Sequence, residues 1–466
     1  MSIVEKVSDG RVGREHKTVG HIFASLYLKK DGNLNGDLMG YALNILPWRK
    51  CKTCKGKRQY RMYTGVVCLY YVGTCTRCLS GDARLAESGA PVAVSKVSDA
   101  TLYDGTFKIV QFTDLHFGET SRDDQASQRV MQAVLAAEPD TDLVILSGDM
   151  ISGDKNKMQN DPNWFQNKWQ DIVLPLEHAG VPFACVFGNH DSEASLHNVA
   201  IAKLDRESSR LSLTKCTPAP GTNPVHINYH LEILPTKKPQ LETMPALNDT
   251  FYAPHIRALD GSVARSALTT EHEQAAARIW LLDSGRRGCG GQSRGWGCVP
   301  GRTIKWIEQE AADLAHQAQR WSGGFSPTPS LSFVHIPPPE FLQAWRSPST
   351  RGNKWEAIAC PSLNSGLVSV LRRANITAVY SGHDHNNDFV GLVQGVRLAY
   401  GRKSGYGGYG PRPVTSRGAR VILLREGEDA SVAPTWIRTE NGVKHLQAPT
   451  WEIVKMLARQ NMCEQS

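Results

Sequence analysis

Five times along this chain an apolar, strand-like run ends in a small cluster of Asp, Asn or His. Asp114-Leu115-His116 follows Ile109 to Thr113, Gly148-Asp149 follows Leu143 to Ser147, and Gly188-Asn189-His190-Asp191 follows Val186-Phe187. His335 follows Leu331 to Val334, and Gly382-His383-Asp384-His385 follows Ala378 to Tyr380. In open α/β sheets the loops just beyond the carboxyl ends of strands are where ligands bind. The five clusters are therefore expected to converge in space.

The text around these runs supports that architecture. Residues 107–113, 143–147, 181–187, 279–283, 331–334 and 376–380 read as buried strands, and 124–137, 164–178, 192–205 and 303–321 as helices between them. Strand, helix, strand repetition predicts an α/β domain whose helices cover sheet faces. Runs at 389–393, 396–400 and 420–424 lack intervening helices and predict a second sheet built from hairpins. The expected organisation is a basic, Cys-containing leader over 1–100, zinc-ribbon-like or partly disordered, a catalytic domain over 101–440 and a helical tail over 441–466.

Carboxylates, imidazoles and one amide oxygen make the mixed ligand set that holds Zn, Mn or Fe. Two divalent ions a few ångströms apart repel strongly, and a shared anion relieves the repulsion; Asp149 at the centre of the set fits that role. If the short motifs are extended, Asp114 and His116 project to one side, as do His383 and His385. Glycines at 148, 188 and 382 permit tight turns and close backbone approach. Two ions so held would neutralise charge on a phosphoryl group and lower the pKa of a bound water. His190, beside Asn189 and followed by Asp191 as an orienting partner, is the expected proton donor to a leaving group.

The pattern Asp-x-His, Gly-Asp, Gly-Asn-His-Asp, lone His and Gly-His-x-His resembles the calcineurin-like metallophosphoesterases, over about residues 108 to 410. The resemblance implies two mixed β-sheets packed face to face with helices outside, and hydrolysis of phosphate esters. It implies one metal on Asp114, His116, Asp149 and His385 and a second on Asp149, Asn189, His335 and His383. Leu282-Asp283-Ser284-Gly285, His335-Ile336-Pro337 and the run from Tyr400 to Tyr409 resemble the short purple-acid-phosphatase-like branch of plants, fungi and protists. Purple members carry a Tyr three residues after the bridging Asp; here Ser152 stands there, which favours a divalent pair such as Mn, Fe(II) or Zn. Phosphomonoesters, phosphoproteins among them, are the implied substrates; nucleotide phosphodiesters and a catalytically weak metal-bound scaffold are the alternatives.

The net charge of +8 belongs to the N-terminal piece, since residues 1–80 hold 14 Lys or Arg against 5 Asp or Glu. That stretch could meet nucleic acid or another acidic partner, or be a solvated tail. It also holds Cys51, Cys54, Cys75 and Cys78 at the edge of zinc-ribbon spacing, open to a structural zinc, disulfides or free thiols. Cys289 and Cys298 flank a Gly-rich loop and could form a hairpin disulfide, which would argue for an oxidising compartment. Against that, Glu5, Asp9, Arg11, Arg14 and Glu15 interrupt the first residues where a secretory signal would be apolar, a weak lean to the cell interior. No apolar run approaches the ~20 residues of a membrane span. The Gly- and Tyr-rich loop over 401–410 could edge a substrate cleft through Arg402, Lys403 or Tyr406, or simply join two strands.

Overall fold

A computed structural model describes residues 57–63, 66–72, 105–153, 161–194, 196–222, 226–233, 256–258, 275–289, 294–322, 328–361, 363–411 and 415–450. The chain divides into two compact units, Met1–Ala93 and Val94–Ser466. In the first, β1 (Lys57–Tyr63) and β2 (Val66–Val72) pair as an antiparallel hairpin. The four cysteines expected to bind zinc lie outside the described residues.

In the second unit, β3 (Thr106–Phe112), β4 (Leu143–Ser147) and β5 (Phe183–Val186) run parallel. They are buried on both faces, which is why they read as continuous apolar runs rather than as alternation. Between them stand α1 (Ser121–Ala137) and α2 (Trp164–Ala179), with α3 (Asn198–Ser208) after β5. Thr120 caps α1 by accepting from the Asp123 amide, and Gly180 closes α2 in a left-handed conformation.

A second sheet is built from β6 (Tyr229–Ile233), β7 (Ile256–Ala258), β8 (Ala277–Leu282), β9 (Ser330–Val334), β10 (Ile376–Ser381), β11 (Val390–Val393) and β12 (Val396–Tyr400), in the order β11-β12-β10-β9-β8-β6-β7. The first sheet is completed by β13 (Gly418–Arg425), β14 (Thr435–Thr439) and β15 (Lys444–His445), in the order β15-β14-β13-β3-β4-β5. Both sheets are mixed, since β13 runs antiparallel to β3 and β6 antiparallel to β8.

Period-two alternation shows how the sheets pack. Ile279, Leu281, Leu331, Phe333, Ala378 and Tyr380 join one core with β3, β4, β5 and β13, while Trp280, Leu282, Val334 and Val379 join a second. That second core lies against α4 (Gly301–Ser322), α5 (Phe341–Arg346) and α6 (Leu367–Arg373). The result is two mixed sheets packed face to face with helices outside. Among the described residues no helix is long and apolar enough to cross a membrane.

Two expectations change. The late strands form no sheet of their own: the β11–β12 hairpin extends the second sheet beside β10, and β13–β14 extends the first beside β3. Residues 441–450 are not helical; Gly442 at φ 79° turns the chain back, β15 pairs with β14, and the Lys444 ammonium sits 3.7 Å from the Trp436 ring centroid. Residues 451–466 lie outside the described residues.

Candidate metal centre

The five clusters leave the carboxyl ends of β3, β4, β5, β9 and β10, and side chains from those after β3, β4, β9 and β10 gather in two groups. Asp114, His116 and His385 form one; Asp149, His335 and His383 form the other. Within each group one ligand-type atom per residue lies within 4.8 Å of the others.

The backbone reaches this arrangement through left-handed turns rather than extended segments. Asp114 and His116 have φ of 55° and 51°, Asp149 51° and His383 75°. A non-glycine residue in that region is strained and persists only where its surroundings hold it. Here hydrogen bonds from the amides of Asp114, His116 and Phe117 to the carbonyls of Gly148, Asp149 and Met150, 2.9 to 3.0 Å long, carry the β3–β4 pairing past the strand ends. Two glycines are obligatory: a Cβ at Gly148 would stand 2.3 Å from His335 Nδ1, and one at Gly188 2.2 Å from Asp149 Oδ1.

Hydrogen bonds dictate which ring nitrogens face inward. Ser152 Oγ donates to Glu119 at 2.7 Å, so it must accept from His116 Nδ1 at 2.8 Å. His385 Nδ1 donates to the Tyr409 carbonyl at 2.7 Å, and His335 Nδ1 to that of Ser147 at 2.9 Å. With both rings neutral, the Nε2 atoms of His116 and His385 present lone pairs to each other at 3.2 Å. Two lone pairs at that distance repel unless a cation sits against them. Asn189 Oδ1 and, in the other group, His383 Nε2 are buried without a hydrogen-bond partner.

Charge points the same way. Burial disfavours the His335 imidazolium, but Asp149 at 3.0 Å and Asp114 at 3.8 Å overcome it and raise its pKa to about 10. Burial and the neighbouring His335 push His383 down to about 3. The paired carboxylates therefore demand positive charge at the cluster, and most of the remaining donors are neutral lone pairs. Asp149 Oδ2 stands 3.8 Å from His116 Nε2 in one group and 3.0 Å from His335 Nε2 in the other, the position a shared ligand requires. The residues fit two divalent cations.

A family profile described as calcineurin-like phosphoesterase matches residues 107–387. The chain belongs to that family. Among related phosphoesterases, "Probable inactive purple acid phosphatase 28" of Arabidopsis thaliana is 28% identical over 359 residues, covering 72% of this chain and 81% of its own. "Phosphatase DCR2" of Saccharomyces cerevisiae is 24% identical over 306 residues; the match spans 61% of this chain and 45% of the yeast protein. A dimetal phosphatase from Danio rerio is a structural neighbour at 14% identity and a TM-score of 0.39, with coverage of 71% and 98%.

Around the cluster, two sequence expectations are revised. Asp191 does not orient His190: fully buried, it accepts from the amides of Asp149, Met150, Ile151 and Gly188 at 2.7 to 3.1 Å, so it shapes the loop that carries Asp149. The partner of His190 Nδ1 is Glu193, at 2.6 Å. In the 401–410 loop, Lys403 is buried and donates to the carbonyls of Asp114 and Gly407, Arg402 pairs with Asp388, and the Tyr406 hydroxyl donates to Glu440. The loop meets the site instead through Tyr409, whose ring stacks on His385 with centroids 4.1 Å apart. On the opposite side Trp296 packs edge-on against His383 at 4.4 Å, in a loop closed by the Cys289–Cys298 disulfide.

Proposed function

We propose that this phosphoesterase hydrolyses phosphomonoesters, phosphoproteins among them, at two divalent ions of the Mn, Fe(II) or Zn type. Asp114, His116, Asp149 and His385 would hold one ion and Asp149, Asn189, His335 and His383 the other. The observation that carries the reading is the pair of inward Nε2 atoms at 3.2 Å beside a carboxylate oxygen that faces both donor groups. When bound, such ions act as Lewis acids toward a phosphoryl oxygen and lower the pKa of water.

The chain's own residues supply the rest. Asp149 keeps its geometry because its Oδ1 accepts from the His190 amide at 2.8 Å. His190 is the most solvent-open imidazole of the site, with a side chain 39% exposed. With Nδ1 committed to Glu193, its Nε2 is the position from which a proton reaches a leaving alkoxide. Ser152 lies on His116, so no phenolate takes that place, which supports a divalent pair over a ferric one. The resemblance to the purple-acid-phosphatase-like branch and the name of the yeast relative, a phosphatase, support the monoester class, whereas the plant relative is named as an inactive member.

Rates on 4-nitrophenyl phosphate and bis(4-nitrophenyl) phosphate, with Mn or Zn added, test the proposal. The monoester is expected to be preferred, elemental analysis to find two ions per chain, and Asp149→Asn to lower the rate more than about tenfold. A preference for the diester would transfer the site to phosphodiesters; full turnover by Asp149→Asn would remove the bridging role.

A further inference from the structure

We propose that Glu193 and Arg286 are positioning residues that hold the His190 ring in its working orientation. The inference rests on His190 being the proton donor to the leaving group.

Three contacts at three levels support it. His190 and Glu193 lie in one tight turn, closed by the Glu193 amide donating to the His190 carbonyl at 3.0 Å. Across that turn His190 Nδ1 donates to Glu193 Oε2 at 2.6 Å, which fixes both the tautomer and the rotation of the ring. The second carboxylate oxygen, Oε1, accepts from the Arg286 guanidinium at 2.6 Å, across 93 residues of sequence. The turn packs closely on Gly153, where an added Cβ would stand 2.6 Å from Glu193 Cβ and from the Ala194 amide. The ring has a defined target as well, its centroid lying 5.2 Å from that of His116.

Arg286 is fastened from its own side. It stands just before the Cys289–Cys298 disulfide and pairs with the loop the disulfide closes: the Arg286 carbonyl accepts from the Gly297 amide at 3.3 Å, and Arg287 bridges to Trp296. The same loop places Trp296 against His383. The paired strands of Arg286–Arg287 and Trp296–Gly297 therefore brace a candidate metal ligand through Trp296 and, through Arg286 and Glu193, the candidate proton donor. An ion pair this exposed contributes little to stability, because water screens it and two long side chains must be ordered. Its effect is on orientation, where a small misplacement of a donor costs far more rate than stability.

Leaving-group dependence distinguishes this role from a structural one. An alkoxide needs a proton in the transition state and 4-nitrophenolate hardly does, so a fault in proton donation shows on the first ester and not the second. In the full-length, zinc-loaded protein, His190→Ala should slow an alkyl phosphate about 100-fold and 4-nitrophenyl phosphate less than about threefold. Glu193→Ala should reproduce that selectivity in kcat at unchanged KM and metal content, with a loss of about tenfold on the alkyl ester. Glu193→Gln, which keeps an acceptor at the same reach, should recover most of it. Arg286→Ala should show the same selectivity more weakly, and Arg286→Lys should restore it; this exposed site on a separate loop offers a second arm should the Glu193 variants misfold.

A second readout needs no turnover. In protein labelled with nitrogen-15 in its imidazoles, the hydrogen-bonded Nδ1–H resonance that disappears in His190→Ala should be lost or moved in Glu193→Ala. Persistence of that resonance, or equal slowing of both esters by Glu193→Ala, overturns the positioning role. If His190→Ala itself slows both esters equally, the donor reading falls and this inference with it. If His190→Ala discriminates and Glu193→Ala does not, the relay alone is wrong.

Discussion

Asp191 illustrates how a motif residue can matter without touching the chemistry. Its carboxylate accepts from four backbone amides and is wholly buried, so Asp191→Ala would strand four donors in the loop that presents Asp149 and Asn189. At about 1 to 3 kcal/mol for each unsatisfied buried group the loop should lose its shape. Metal content and activity of Asp191→Ala are expected to fall together, with no difference between alkyl and aryl leaving groups; a metal-replete variant with selective loss on alkyl esters would return Asp191 to the role of His190's partner. The candidate ligands were legible in the sequence because Asp114, His116, Asp149, Asn189, His335, His383 and His385 each stand directly after an apolar strand. Glu193 was legible in principle, three residues from His190, but the adjacent Asp191 is the simpler guess until the turn geometry is known. Arg286 was not, since its contact with Glu193 exists only once two distant loops meet.

Among the elements, buried parallel strands announce themselves as unbroken apolar runs, and predicted and observed spans of β3, β4, β9, β10 and β12 agree within a residue or two. The shorter pieces do not. Pro337, Pro338 and Pro339 lead into α5, and α6 has only Leu367–Arg373, too few residues for a helical period to emerge. Helix α3 begins at Asn198 rather than 192 because His197 caps it, the Ala200 amide donating to its ring, and the intervening residues form the turn that holds Glu193. The packing that fixes these elements carries its own test in Glu138, the C-cap of α1. Its carboxylate accepts from Trp436 and Arg438 of β14 at 2.8 and 2.7 Å and from Lys108 of β3 at 3.1 Å. Burial alone would raise its pKa, but those three partners outweigh burial and hold it below its ordinary value of 4.5. A carboxyl depressed by folding adds stability that is complete above its unfolded pKa and is lost as pH falls from there through the folded value. Glu138→Ala should cost about 3 kcal/mol at neutral pH in denaturant titrations, and the gap between variant and wild type should narrow as pH drops below 4.5. A gap independent of pH would mean that Glu138 acts by packing alone.

For the whole second unit, the arrangement of donors makes metal binding a property of the closed sandwich. Asp114, His116 and Asp149 leave strands of one sheet, whereas His335, His383 and His385 leave strands of the other. Each donor group draws on both, so neither sheet can assemble a site without its partner. Cations that bind the folded chain and not the unfolded one stabilise it by mass action, by about 3 kcal/mol at a hundred times Kd and about 4 kcal/mol at a thousand. Zn or Mn should therefore raise the thermal midpoint of the full-length protein in a concentration-dependent way, and a chelator should reverse the rise. Asp149→Asn should abolish most of this effect, because the neutral amide removes the anion shared between the groups. Removing residues 1–93 should leave it intact, since both cores and all seven candidate ligands lie in the second unit. A midpoint indifferent to metal in the wild-type protein would show that the facing Nε2 atoms are held by the fold itself, and that the site does not demand the cations its geometry implies.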